Sequence, residues 1–196
     1  MAAAARCVSR GRPGTVATAA TAAGWDWAYV KAHDRRELIR FWIALAYAHG
    51  QFFMTPHPSR QWCFTGDLGT HWFAAPIDRF APLYQFIRRN AGLFDDYDSA
   101  DASGVTAAPQ THCTLRRKGD AAVVHVLNRD YQAQGDRFEP KTAVTVSIPK
   151  SALGSARKAT VLSFDADEVE IPLRVGEKTV ELTLPELRLW SLIAIR

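Results

Sequence analysis

Apolar side chains recur at helical spacing early in the chain. Leu38, Phe41, Trp42, Leu45 and Tyr47 follow a polar opening made by His33, Asp34, Arg35, Arg36 and Glu37. Asp34 with Glu37 three residues on is a capping-box pattern, and Gly50 after His49 suits a left-handed helix stop. Residues 51–55 form a short apolar run ended by Pro56, which predicts a buried strand. Helical spacing returns over residues 76–90, where Phe80, Leu83, Tyr84, Phe86 and Ile87 share one side; Leu93, Phe94 and Tyr97 then pin the exit.

After a polar linker at residues 98–104 the period switches to two. Val144, Val146 and Ile148 alternate with Thr145 and Ser147; Val180, Leu182 and Leu184 alternate with Glu181 and Thr183. Strands are predicted at residues 105–107, 113–117, 122–127, 143–148, 159–163, 169–175, 179–184 and 189–195. Gly119, Gly154 and a hairpin at residues 175–178 punctuate them. Short strands at this spacing predict an antiparallel β-sandwich. The expected class is therefore α+β: a helix–strand–loop–helix unit over residues 25–98, then a β-sandwich over residues 105–196.

Residues 1–24 stand apart. They are rich in Ala and Thr, carry Arg6, Arg10 and Arg12, and precede the first acidic residue, Asp26. The composition resembles a transit peptide, but no continuous apolar stretch matches a secretory signal. We read it as a disordered or non-native stretch, of the kind left at the start of an incomplete gene.

Composition narrows the function classes. With 196 residues, 47% hydrophobic and 22% charged, the chain is of ordinary globular type. It is too short for a complete (β/α)8 barrel, which needs about 250 residues. No run approaches the ~18 apolar residues of a membrane span. The net charge is +4 and the pI about 9.1, yet the Lys and Arg residues are scattered and no basic, aromatic-interleaved stripe appears, so no nucleic-acid partner is expected. Cys7, Cys63 and Cys113 are an odd number without C-x-x-C spacing, which fits neither a disulfide framework nor a zinc site. His57, Cys63 and His71 share one segment, but polar loop residues and a small buried thiol account for them. No metal or cofactor is expected.

The candidate chemistry lies in residues 57–75, directly after the predicted strand. Ligands of α/β folds meet loops at the C-terminal ends of strands. Trp62 and Trp72 offer flat faces for pyranose rings, while His57, Arg60, Gln61 and His71 offer partners for hydroxyls. These six are the candidate substrate-binding residues. Hydrolysis of a glycosidic bond calls for two flanking carboxylates. Between Glu37 and Glu139 there is no glutamate, and Asp67 alone is well placed, so no catalytic residue is assigned. Ser59 beside His57 lacks a nucleophile elbow, and no glycine-rich phosphate loop occurs. His125, between two valines, is expected as a hydrogen-bonded histidine at a sheet edge or domain contact. Asn128, Asp130 and Gln132 read as turn residues rather than calcium ligands.

The order of these parts resembles the end of a barrel glycoside hydrolase. The stretch Phe41-Trp42-Ile43-Ala44-Leu45-Ala46-Tyr47-Ala48-His49-Gly50-Gln51-Phe52-Phe53-Met54 looks like the last helix-to-strand passage of such a barrel. His57-Pro58-Ser59-Arg60-Gln61-Trp62 through Gly69-Thr70-His71-Trp72 resembles the loop after its eighth strand, and Pro82-Leu83-Tyr84-Gln85-Phe86-Ile87-Arg88 its closing helix. The segment from Val180 to Ser191 resembles the C-terminal β-domain that follows such barrels. Agarase-like and β-galactosidase-like enzymes are the nearest types. The resemblance implies an oligo- or polysaccharide partner and O-glycosyl hydrolysis. It also places the catalytic carboxylates on barrel strands absent here, so the chain is expected to be a fragment, inactive alone. The alternative is a stand-alone sandwich module that binds carbohydrate or serves as a structural interaction domain. Neither compartment nor oligomeric state follows from the sequence.

Overall fold

The computed structural model describes residues 16–17, 35–53, 80–154 and 158–196. Its fold is α+β and mostly antiparallel sheet. A strand β1 (Val16–Ala17) pairs in parallel with β2 (Phe52–Phe53), and α1 (Arg36–Ala48) lies between them in the chain. Two residues of the stretch expected to be disordered thus take part in a β–α–β unit. Helices α2 (Ala81–Arg89) and α3 (Ala91–Asp95) lead into the sheets.

The larger sheet has six strands, all antiparallel. In spatial order they are β10 (Val169–Ile171), β9 (Ala159–Ser163), β13 (Trp190–Ile195), β5 (Ala121–Asn128), β4 (Thr111–Lys118) and β3 (Asp98–Ala100). The smaller sheet has β11 (Arg174–Val175), β12 (Thr179–Leu187) and β8 (Lys141–Pro149). A hairpin of β6 (Tyr131–Gln132) and β7 (Arg137–Phe138) sits apart.

The six-stranded sheet is buried on both faces. Val124, Val126, Ile193 and Ile195 meet Val144, Val146, Val180 and Leu182 of the smaller sheet. The opposite face, with Val123, Leu127, Trp190 and Leu192, packs against Ile39 and Ile43 of α1, Leu83 and Phe86 of α2, and Leu93 and Phe94 of α3. The expected β-sandwich is present, and the helical segment adds a third layer on the outer face of its larger sheet. The sequence carries the reason. Strands β5 and β13 are apolar at nearly every position, as doubly covered strands must be, whereas β8 and β12 alternate because one face meets water.

Four local expectations are corrected. The polar linker begins as a strand, because Asp98–Ala100 pairs with Leu115, Arg116 and Arg117 at the sheet edge, where backbone hydrogen bonds need no apolar side chain. Residues 105–107 make no strand; Thr106 alone bridges to Ser147. The single strand predicted over residues 169–175 divides at Pro172, and β10 and β11 join different sheets. Proline has no N–H to give a ladder, so the chain bends and changes sheet there. The same deficit shows at Pro185, which the β8–β12 ladder skips together with Ala143, whose φ is 51°.

The start of α1 is the fourth correction. Arg35, not Asp34, holds the N-cap position and offers no side-chain cap. The backbone N–H of Glu37 donates instead to Asp136 Oδ2 at 2.9 Å and that of Leu38 to Oδ1 at 3.4 Å. Gly50 fulfils its expected role: φ is +71°, and its N–H donates to the Tyr47 carbonyl.

Candidate functional site

Among the described residues, the polar groups gather where the end of α1 crosses the six-stranded sheet. His112, Thr114 and Arg116 occupy alternate positions of β4 and so share one face, toward the helices. Each takes a different part of the helix end. Thr114 Oγ1 donates to the Ala48 carbonyl at 2.9 Å. His112 Nε2 and His49 Nε2 lie 2.9 Å apart. Gly50 lies over the Arg116 guanidinium; a Cβ there would stand 3.4 Å from Nη2. A cation at a helix C-terminus meets the negative end of the helix dipole and is stabilising. Arg116 also donates through Nη2 to the Tyr97 carbonyl at 2.5 Å, which ties the exit of α3 to the same point.

Burial sets the electrostatics of this junction. It lowers the pKa of both His49 and His112; the His49 charge and then Arg129 lower His112 further. Burial also lowers Arg116, against the opposing pull of Asp95 and Asp98. One strand further in is His125, cross-strand from Thr114 and fully buried. Its ring stacks on Trp190 (centroids 5.8 Å, planes 18° apart) and meets the edge of Phe94 at 5.6 Å. Neither ring nitrogen has a hydrogen-bond partner, and neither do Trp190 Nε1 or Arg116 Nε. The domain-contact reading of His125 therefore holds, but its hydrogen bonds and its edge position do not: β5 is interior to the sheet. Burial, then Arg116 and His49, push its pKa down to about 3.

The junction lies just before the segment in which the sequence places the candidate site. Strand β2 starts two residues past Gly50, and the described chain resumes at the fully buried Phe80 before α2. His57, Arg60, Gln61, Trp62, His71 and Trp72 all lie between those points, outside the described residues, as does Asp67. Asn128 proves a structural corner: Nδ2 donates to the Glu139 and Arg188 carbonyls, and Oδ1 accepts from the Asp130 N–H. Asp130 accepts from Gln132 and from Lys141. Cys113 is half-buried, and burial raises its thiol to about 11. Among the described residues no three of His, Cys, Asp and Glu are grouped to hold a metal ion.

Sequence reasoning missed His112, Thr114, Arg116 and Asp136. The first three were visible as polar side chains with a period of two, a pattern that by itself points to solvent. Only the helix lying across them turns that row into an interface.

No family model matches the chain. Over 85 residues it is 32% identical to an alpha-agarase of Thalassotalea agarivorans, a match that spans 43% of this chain and 5% of that protein. Among solved structures, a cycloisomaltooligosaccharide glucanotransferase of Paenibacillus sp., complexed with cycloisomaltoheptaose, aligns with a TM-score of 0.65 at 18% identity; 81% of this chain and 27% of that one are covered. A maltogenic alpha-amylase of Thermotoga neapolitana aligns over 82% of this chain and 38% of its own, with a TM-score of 0.44 and 16% identity. The chain spans only a small part of each relative. It resembles a portion of a glycoside hydrolase, in fold across most of its length and in sequence across 85 residues.

Proposed function

We propose that this chain is the C-terminal part of a carbohydrate-active glycoside hydrolase, giving the last barrel unit, a substrate-binding loop and an accessory β-domain. The carrying observation is the helical layer packed on the outer face of a sandwich, with β2 after α1 leading in sequence to His57, Arg60, Gln61, Trp62, His71 and Trp72. The partner is an oligo- or polysaccharide, and the loop contributes stacking and hydroxyl contacts. The catalytic carboxylate pair comes from other barrel strands, so the isolated chain binds sugar without cleaving it.

Retardation of the full chain in agarose affinity gels, and its titration with cycloisomaltoheptaose, test this reading. Binding that disappears in a Trp62→Ala/Trp72→Ala double variant with an unchanged unfolding midpoint supports it. Binding indifferent to that variant moves the site to the sandwich. Retardation by neither sugar, with no cleavage of either, leaves a structural module as the better description. The helical layer weighs against a sandwich standing alone, because Trp190, Leu127 and Leu192 need that cover.

A further inference from the structure

All three described histidines, His49, His112 and His125, meet at one junction between the helical layer and the sheet. The outer two are paired in an informative way. Their ring centroids are 5.1 Å apart with Nε2 atoms at 2.9 Å, so the separation is the N···N distance plus about one ring radius at each end. The two nitrogens therefore point at each other head-on and do not converge on a third point. This is an imidazole–imidazole hydrogen bond: one Nε2–H donates, and the other Nε2 accepts with its own proton on Nδ1.

Such a pair has a definite response to protons. A first added proton lands on the free Nδ1 of the donor ring, and the resulting imidazolium keeps its Nε2–H on the neutral acceptor. A second has only the acceptor Nε2 left, where it removes the lone pair and sets two N–H cations head-on in a half-buried space. The surrounding charges oppose that step: Arg129 after β5 acts on His112, while Arg116 on β4, its charge countered by Asp95 and Asp98, acts on the neighbouring His125.

We propose that the His49–His112 contact is an acid-released latch, which lets the end of α1 and strand β2 come away from the sheet while the sandwich core stays folded. His125 lies a strand further in and is not part of the contact.

Hydrogen exchange of the full chain, corrected for intrinsic rate, tests the latch between about pH 8 and about pH 5. In the wild type, the peptide over residues 46–53 loses about tenfold or more of its protection at the lower pH, while residues 121–128 and 179–187 keep theirs. His112→Gln places an amide where Nε2 stood, still donates to a neutral His49 and takes up no proton; its loss falls to about threefold or less. His49→Gln does the same from the other side, and His125→Phe leaves the wild-type response in place. In the wild type the first ring of the pair titrates with protection largely kept, and the opening accompanies titration of the second. Protection of residues 46–53 maintained at the lower pH overturns the proposal, as does joint opening of residues 46–53 and 121–128. So does titration of the second ring about one pH unit or more away from the opening. An undiminished response in whichever Gln variant folds overturns it as well.

Discussion

Asp136 Oδ2 accepts the backbone N–H of Glu37 across 99 residues of chain. The aspartate sits in a left-handed turn (φ 45°) between β6 and β7, where Tyr131 Oη donates to its Oδ1 at 2.8 Å. A helix of one layer is thus capped from a hairpin of another. Replacing Asp136 with Ala removes the cap and puts a Cβ residue without a local hydrogen bond in the left-handed region. A loss of about 1–2 kcal/mol is expected from urea unfolding. Asp136→Asn keeps one acceptor and tolerates the turn, so it loses less.

His125 makes the opposite kind of prediction. Two ring nitrogens are buried without partners, so an apolar ring of similar size relieves a desolvation cost. His125→Phe is expected to raise the unfolding midpoint at neutral pH. The sign of the pH effect follows from the depressed folded pKa of about 3. Stability from the neutral ring is fully present above the unfolded value of about 6.5, and falls as pH drops from there toward the folded value. The variant removes this component, so its midpoint declines less steeply between about pH 6.5 and pH 4.

Trp190 is the largest fully buried side chain among the described residues and touches Phe86, Phe94 and His125. Trp190→Ala is expected to cost about 3–5 kcal/mol. Because Nε1 has no partner, Trp190→Phe gives up only volume and costs less than half as much. Equal losses in the two variants, measured by urea unfolding, exclude this account.

Gly50 is constrained by its φ of +71°, and a Cβ there would meet the Arg116 guanidinium at contact distance, 3.4 Å. Gly50→Ala is expected to lose about 1–2 kcal/mol through the left-handed backbone alone. Pairing it with Arg116→Met separates crowding from backbone strain: only the former is relieved in the double variant.

For the candidate loop, Trp62→Ala and Trp72→Ala should each weaken sugar binding by about 1–3 kcal/mol if the indole stacks on a ring. A packed indole would instead cost about 3–5 kcal/mol of folding stability. Urea midpoints and sugar affinity measured on the same samples separate the two.

The two long strands of the smaller sheet, β8 and β12, were readable because residues such as Val144, Val146 and Ile148 alternate with polar residues that meet water. Helices α1 and α2 were readable from their apolar spacing and from Gly50, whereas the short α3 (Ala91–Asp95) was expected only as the exit of α2. Asp136 was not, because its partner lies 99 residues away and nothing local marks it as a cap. The edge strand at Asp98–Ala100 escaped for a related reason: backbone pairing with Arg117 and Leu115 leaves no trace in side-chain pattern. The row His112, Thr114, Arg116 was present as a pattern but carried the wrong default, since alternating polar groups usually face solvent. The six candidate residues between His57 and Trp72 lie outside the described residues, while the polar junction at the end of α1 emerged only from the packing.

The double coverage of β5 and β13 bears on how portable the β-domain is. Along each of these strands, neighbouring side chains belong to different cores: Val123 to the helical one and Val124 to the sandwich, Leu192 and Ile193 likewise. A graft of the sandwich onto another protein would therefore carry a wide greasy face into water. It would need either the three helices as companions or a rewriting of Val123, Leu127, Trp190 and Leu192 to polar residues. Recombination between relatives meets the same demand, so the two layers should travel, and diverge, as one unit.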